Sequence, residues 1–346
     1  MPDKVPVTVL TGYLGAGKTT LLNRILSEPH GRKYAVIVNE FGEIGIDNDL
    51  VVGADEEIFE MNNGCVCCTV RGDLVRIIDG LMRRKGKFDA IIVETTGLAD
   101  PAPVAQTFFM DDNVGRKAKL DAVVTVADAK WLSERLKDAP EAKNQIAFAD
   151  VILLNKTDLV APDELSEVEA RIRGINPYAK LHRTERCKIA LPEVLGRNAF
   201  DLDRILEIEP EFLDDGGDHH HHENNENHDH DHDHDHHHHG GGLKHYHDEE
   251  IQSVSLNTDQ PLDPDKFFPW VQQLVQTAGP NILRCKGILS FKGDDARFVF
   301  QGVHMILDGD HQRPWQQTEK RESRIVFIGR NLPEDKIREG FAACVA

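Results

Sequence analysis

The chain has 346 residues, of which 40% are hydrophobic and 29% charged, and its formal net charge is −19. This length favours two domains over one, and the acidic balance excludes a general nucleic-acid-binding protein, which needs a basic face. No apolar run approaches the roughly 18 residues needed to span a bilayer, and the first residues lack the pattern of a secretory signal. We therefore expect a cytoplasmic protein with no membrane partner.

The first 210 residues alternate short apolar runs with helical patterns. Strands are predicted over residues 5–10, 34–39, 89–94, 121–126 and 150–155, and helices over 18–28, 71–85, 102–110, 142–149 and 163–174. The strand segments are almost continuously hydrophobic, which is typical of parallel strands that helices cover on both faces. The repeated βαβ spacing predicts an α/β doubly wound domain with a mostly parallel sheet.

The stretch GYLGAGKT at residues 12–19 fits the phosphate-binding pattern G-x-x-x-x-G-K-[ST], between a predicted strand and a predicted helix. Gly12, Gly15 and Gly17 allow the backbone to turn its N–H groups toward phosphates, and the helix N-terminus adds partial positive charge. Lys18 is expected to reach the β- and γ-phosphates, and Thr19 to give its hydroxyl to Mg²⁺. The sequence therefore predicts a P-loop nucleotide-binding domain.

Two acidic stretches follow this P-loop. The segment NEFGEIGID at residues 39–47 resembles a switch segment, in which Glu40 is a candidate metal or water ligand. The second acidic stretch, ETTGLADP, begins at the end of the predicted strand 89–94. Its first residue, Glu94, stands where an acidic group often holds Mg²⁺ through water, and Gly97 is a candidate sensor of the γ-phosphate. The alternative interpretation is a solvated acidic loop in the first case, and a strand-end carboxylate with a turn glycine in the second.

Three of the six cysteines, Cys65, Cys67 and Cys68, fall within four positions between these two stretches. Three thiolates on one short loop supply three corners of the tetrahedron that Zn²⁺ prefers, and a carboxylate, water or partner ligand can complete it. Cu⁺ and Co²⁺ also accept such ligands. Buried apolar cysteines and a redox disulfide remain as alternatives to a metal site.

The motif NKTD at residues 155–158 closes the predicted strand DVILLN. In a P-loop protein it fits the guanine-binding pattern N-K-x-D, because the carboxylate of Asp158 can accept hydrogen bonds from guanine N1 and the exocyclic amine. Adenine lacks that pair of donors and would leave the carboxylate unpaired. Asn155 is expected to buttress the loop and the stem of Lys156 to cover the base, so the motif favours GTP over ATP.

A polar tract separates the two halves of the chain. Fourteen of the eighteen histidines lie between His219 and His247, interleaved with aspartates in a stretch that has too few apolar residues to bury a core. It predicts a disordered tether with many equivalent weak metal-binding groups, which would capture ions near the cysteine loop. The alternative is a polar linker that expanded by repeat slippage.

The remaining residues predict a smaller α+β domain. Strands are expected over 251–256, 282–291, 297–303 and 324–329, and helices over 264–276 and 333–343. The predicted division is residues 1–212 for the P-loop domain, 213–249 for the tether and 250–346 for the C-terminal domain. Cys187, Cys285 and Cys344 are isolated in the sequence, and we expect core packing or surface positions for them rather than metal ligation.

Five motifs of the chain, in this order, resemble those of the CobW-type metallochaperone GTPases: GYLGAGKTT, NEFGEIGID, NGCVCCTVRGDL, ETTGLADP and NKTD. The resemblance covers residues 5 to about 190 densely and the C-terminal part more loosely. It implies GTP hydrolysis coupled to delivery of a divalent metal, usually zinc and in some members cobalt, to a client enzyme. It also implies that Gly12 to Thr20, with Ala16 and Thr20 included, hold the phosphates of GTP or GDP and Mg²⁺.

Three further functions stay open beside this one. The chain could be a regulatory GTPase whose cysteines are structural, or a histidine-rich metal storage or buffer protein. Within the metallochaperone class, a cobalt-handling role in cobalamin biosynthesis is a further alternative. Intrinsic GTP hydrolysis is expected to be slow, and a homo-oligomer is left open.

Overall fold

The computed structural model describes residues 4–29, 31–40, 58–62, 68–83, 88–199, 251–316 and 319–346. The first half holds strands β1 (Val5–Thr11), β2 (Tyr34–Glu40), β3 (Ile58–Asn62), β4 (Ala90–Glu94), β5 (Ala118–Asp128), β6 (Val151–Asn155) and β7 (Lys180–Thr184). Within the described ranges they form one seven-stranded sheet in the order β3-β2-β4-β1-β5-β6-β7. Every pairing is parallel, so the predicted sheet is confirmed.

Helices cover both faces of this sheet. They are α1 (Lys18–Ser27), α2 (Cys68–Met82), α3 (Ala102–Met110), α4 (Asp112–Lys117), α5 (Leu132–Asp138), α6 (Pro140–Phe148) and α7 (Pro162–Ile175). Alternate residues of each strand enter two different cores, because successive side chains point to opposite faces. In β6, for example, Ile152 and Leu154 pack with α6 and α7, while Val151 and Leu153 join the core that contains α1.

The C-terminal half is an antiparallel sheet with two helices on one face. Its elements are β8 (Ile251–Thr258), α8 (Pro264–Ala278), β9 (Ile282–Ser290), β10 (Ala296–Val303), β11 (Ile306–Pro314), β12 (Ser323–Arg330) and α9 (Glu334–Ala343). The described strands follow the order β11-β10-β9-β12-β8. Ile325 and Phe327 of β12 pack against α8 and α9, and this arrangement confirms the predicted α+β domain.

The other face of the C-terminal sheet lies against the first domain. Val326 and Ile328 of β12 belong to the same core as α6 and α7. Beside them, the buried carboxylate of Asp150, which precedes β6, is bound by Arg284 and by Lys286 at 3.0 Å. Burial raises the pKa of the Asp150 carboxyl, but the two cations outweigh burial and hold it below its usual value.

Along the described residues, every helix is too short or too polar to cross a bilayer.

Candidate functional site

The connection between β1 and α1 is a glycine-rich turn whose shape requires two of its glycines. Gly12 has a φ of 141°, and a Cβ atom there would lie 2.1 Å from the carbonyl oxygen of Val126. Gly17 has a φ of 119°, and a Cβ atom there would lie 2.6 Å from Nδ2 of Asn155. Any other residue would be strained and would displace β5 or Asn155. Gly15 also has a positive φ, 75°, but its surroundings are open.

Lys18 begins α1, and its buried side chain folds back over this turn. Its ammonium group donates to the carbonyl oxygen of Gly12 at 2.8 Å and to that of Tyr13 at 3.4 Å. Thr19 is half-buried and Thr20 exposed in the first turn of the helix. The first N–H groups of a helix have no intrahelical partners, so the turn combines a cation with a helix N-terminus, as phosphate-binding sites do.

The side chain of Asn155 joins this turn to two other loops. Its Nδ2 atom donates to the carbonyl oxygen of Ala16 at 2.9 Å. Its Oδ1 atom accepts from the N–H of Cys187 at 2.8 Å and from the hydroxyl of Thr184 at 3.1 Å. A buried amide with three such bonds fixes the relative positions of the loops that follow β1, β6 and β7.

Lys156 and Asp158 follow Asn155 in the NKTD motif. Lys156 adopts a left-handed conformation with a φ of 63°, and its ammonium group reaches the carbonyl oxygen of Gly15 at 2.8 Å and Asp128 at 2.6 Å. Asp158 lies in the short 3₁₀ turn Thr157–Leu159, and its side chain is exposed. The side chain of Lys156 therefore joins the NKTD loop to the P-loop at Gly15.

The loop after β7 belongs to this site, although no motif in the sequence indicates it. Cys187 has a φ of 55° and is fully buried beneath Gly17, whose carbonyl oxygen lies 3.4 Å from its Sγ atom. Burial raises the pKa of the Cys187 thiol to about 11, so the thiol is protonated at neutral pH. Cys187, Cys285 and Cys344 are all buried, in agreement with the expected core packing.

The segment after β4 lies beside the P-loop. Glu94 is buried at the end of the strand, and the next residue, Thr95, is bonded through its N–H to the carbonyl oxygen of Leu10 at 2.9 Å. A Cβ atom on Gly97 would lie 2.6 Å from the backbone nitrogen of Leu14, so this glycine allows direct contact between the two segments. The structure thus brings Glu94 and Gly97 to the carboxyl ends of the sheet strands, where Lys18 and Asn155 also lie.

The predicted metal ligands are only partly within the described residues. Cys65, Cys67 and the tract from His219 to His247 lie outside them. Cys68 is the first residue of α2 and Glu40 the last of β2, and their side chains also lie outside the described part. Among the described residues, no group of three His, Cys, Asp or Glu side chains is placed to hold a metal ion.

Comparisons with known proteins match both domains. Residues 6–183 match the sequence family described as "CobW/HypB/UreG, nucleotide-binding domain". The chain belongs to this family. Residues 251–345 match the "Cobalamin synthesis protein cobW C-terminal domain", so the looser resemblance of the second half is also confirmed.

Individual CobW-family relatives match over most of their length. "Zinc chaperone YjiA" of Escherichia coli is 34% identical over 98% of both chains. "Zinc-regulated GTPase metalloprotein activator 1" of Schizosaccharomyces pombe is 35% identical over 95% of this chain and 83% of its own length. The crystal structure of Zn(II)-bound YjiA GTPase from E. coli has a TM-score of 0.74 at 29% identity, covering 99% of this chain and 100% of that one. These matches confirm the predicted P-loop fold and GTPase class.

Proposed function

We propose that this CobW-family chain is a GTP-hydrolysing metallochaperone that binds a divalent transition metal and delivers it to a client metalloenzyme. Zinc is favoured over cobalt because relatives named zinc chaperones match it almost from end to end. The observation that carries the proposal is the convergence of three segments at one sheet edge. Asn155 ties the P-loop to the NKTD loop, and Gly97 contacts the P-loop at Leu14.

In this proposal, the residues from Gly12 to Thr20 bind the phosphates of GTP or GDP. The surroundings of Gly15 are open, so a phosphate can approach the backbone of the turn there. The N–H of Ala16 donates to the carbonyl oxygen of Tyr13 at 3.2 Å within the turn, and it would turn to the phosphates when the nucleotide binds. The ammonium group of Lys18 now binds two backbone carbonyl oxygens of the turn. We expect it to move to the β- and γ-phosphates, whose greater negative charge makes the hydrogen bonds stronger.

Thr19 and Glu94 are the groups that would hold Mg²⁺. Their hydroxyl and carboxylate oxygens are the hard ligands that this ion prefers. Glu94 pairs in register with Leu10 of β1, immediately before the P-loop, so the chain brings both residues to the phosphate end of the site. The ion would neutralise charge on the phosphates during transfer.

The NKTD loop would select guanine. The exposed carboxylate of Asp158 accepts from the two guanine donors, the stem of Lys156 covers the base, and Asn155 keeps the loop fixed to the P-loop. For hydrolysis, Lys18 stabilises charge that develops on the γ-phosphate, and Gly97 offers its N–H to the same group. We expect slow intrinsic turnover, accelerated by a client, a metal or a second copy of the chain.

The cargo would be held by Cys65, Cys67 and Cys68, with Glu40 as a candidate additional ligand. Cys68 begins α2, and β3 ends at Asn62, so the cysteine segment joins an end of the same sheet to a helix N-terminus. A helix N-terminus lowers thiol pKa values and favours the thiolate form that binds metal. The tract from His219 to His247 would capture ions and raise their concentration near the three cysteines.

The chain would therefore divide into a GTPase domain at 1–212, a metal-loading tether at 213–249 and a C-terminal domain at 250–346. We propose a cytoplasmic location, where thiols stay reduced.

Two variants test the proposal in protein that lacks residues 219–247. Cys67→Ser is expected to remove tight zinc binding, measured by competition with a chromogenic chelator, and to leave GTP binding unchanged. Lys18→Ala is expected to do the reverse, with loss of GTP hydrolysis and retention of zinc. Tight zinc binding that survives substitution of Cys65, Cys67 and Cys68 together would contradict the proposal.

A further inference from the structure

Helix α6 carries two adjacent amide side chains that are buried beside the segment after β4. Asn144 and Gln145 are 6% and 1% exposed. Burying a side-chain amide is costly unless it is hydrogen-bonded, so the partners of these two residues indicate why the helix keeps them there.

Gln145 holds the turn that contains Gly97. Its Nε2 atom donates to the carbonyl oxygens of both Gly97 and Ala99, each at 3.1 Å. The carbonyl oxygen of Gln145 itself accepts from the hydroxyl of Thr125 in β5 at 2.7 Å, which fixes this point of the helix to the sheet. The turn is thus held between the backbone of Leu14 on one side and the Gln145 amide on the other.

A glycine needs this external restraint more than other residues do. Without a Cβ atom, Gly97 has access to a wide range of backbone angles, and its N–H orientation is set by what binds the surrounding peptide groups. Two carbonyl groups, one at Gly97 and one two residues later, are fixed by a single side chain. An N–H group that must meet a phosphate oxygen within a few tenths of an ångström depends on such preorganisation.

We propose that Gln145 is a positioning residue for the GTP-bound state, which orients the Gly97 N–H toward the γ-phosphate. This inference rests on the proposed GTPase site and adds a residue to it from outside the sequence motifs. It predicts that Gln145 matters when a γ-phosphate is present and has little effect on GDP.

The neighbouring amide extends the same restraint to the C-terminal domain. Nδ2 of Asn144 donates to Asp100 at 2.9 Å, and Asp100 in turn accepts from the N–H of Ala102 at 2.9 Å. Oδ1 of Asn144 accepts from Arg330, at the end of β12. Arg330 of the C-terminal sheet therefore helps to fix the far end of the turn that Gln145 holds, through Asn144 and Asp100. The position of the C-terminal domain thus affects how Gly97 is oriented toward the γ-phosphate.

The test compares the affinities of full-length variants for GDP and for a non-hydrolysable GTP analogue. Gln145→Met keeps the length of the side chain and removes its two donors. We expect its affinity for the analogue to fall about tenfold and its affinity for GDP to stay within about twofold. We also expect kcat for GTP hydrolysis to fall. Arg330→Ala, at a half-buried position that is safer for folding, is expected to lower analogue affinity about threefold in the same selective way.

Asn176→Ala is the matched control. Asn176 is also a buried amide, 2% exposed, and donates to the carbonyl oxygens of Ile146, Ala147 and Ala149 at the end of the same helix. It makes no contact with residues 97–100 among the hydrogen bonds of the described chain. We expect it to lower the Tm and to leave the ratio of analogue to GDP affinity unchanged.

Two results would overturn the inference. One is an equal loss of both affinities in Gln145→Met, matching Asn176→Ala, and the other is no change in either affinity in Gln145→Met. Failure of the wild-type chain to bind either guanine nucleotide would instead refute the proposed function, so the two failures are distinguishable.

Discussion

The buried carboxylate of Asp150 gives a quantitative prediction about how the two domains are joined. Its side chain is 1% exposed, and its ion-pair partners Arg284 and Lys286 are 4% and 9% exposed. It also accepts from the N–H of Val123 at 2.8 Å. We expect Asp150→Asn to lower the free energy of unfolding by about 3–5 kcal/mol, because two buried cations lose the charge between them.

At about 2–4 °C per kcal/mol for domains of 150–250 residues, this loss corresponds to a decrease in Tm of about 6–20 °C. Differential scanning calorimetry measures it, with urea unfolding as a second probe. The matched control is Glu334→Gln, which removes a half-exposed ion pair with Arg338 on one face of α9 and should cost under about 1 kcal/mol. A loss for Asp150→Asn no larger than that of the control would refute the reasoning.

Three further predictions concern the pH dependence of the Asp150 ion pairs and two residues of the nucleotide site. Because the pKa of Asp150 is held below its unfolded value of about 3.9, its contribution to stability is fully present above that pH and is lost as the pH falls through the lower pKa of the folded state. The urea midpoints of wild type and Asp150→Asn should therefore approach each other only as the pH falls below about 3.9. Convergence on raising the pH instead would contradict this. Gly17→Ala should abolish GTP binding in fluorescence titrations, because its Cβ would lie 2.6 Å from Nδ2 of Asn155; near-normal affinity would show that the turn adapts. Asp158→Asn should lower GTP affinity by about 100-fold or more and raise affinity for xanthosine triphosphate, since the amide complements the altered base edge; an unchanged preference for GTP would exclude Asp158 from base recognition.

The central strands were predictable because they are buried on both faces. Each residue of β4 and β6 is buried, and their hydrophobic runs are continuous. The strand β7 was missed because it is polar: its first four residues are exposed or half-buried at the edge of the sheet. The strand β11, also at an edge, was missed for the same reason. These two edge strands face solvent and lack the apolar signal on which the prediction depends.

Helix boundaries were less well predicted than helix positions. The helix α2 begins at Cys68, three residues before the predicted start at 71, so the last cysteine of the cluster belongs to its first turn. The short helices α4 and α5 were not predicted, because six or seven residues give too little periodicity to recognise.

Some residues of the site were predictable from the sequence and others were not. The glycines, Lys18 and NKTD are local motifs that the sequence displays directly. Cys187 and Gln145 are not, because each acts through contacts with residues that are distant in the chain. A cysteine in a polar stretch and a glutamine in a helix have no spacing that identifies their role. Only the folded arrangement of the sheet and its helices brings them close to the P-loop.

Coupling of GTP hydrolysis to metal delivery requires that the affinity of the chain for the metal ion depends on the bound nucleotide. The most direct measurement is a zinc titration of the chain without residues 219–247, once with GDP and once with a non-hydrolysable GTP analogue. We predict dissociation constants that differ by about 5- to 150-fold, the usual range of coupling between two sites on one protein. Identical dissociation constants in the two nucleotide states would contradict the account.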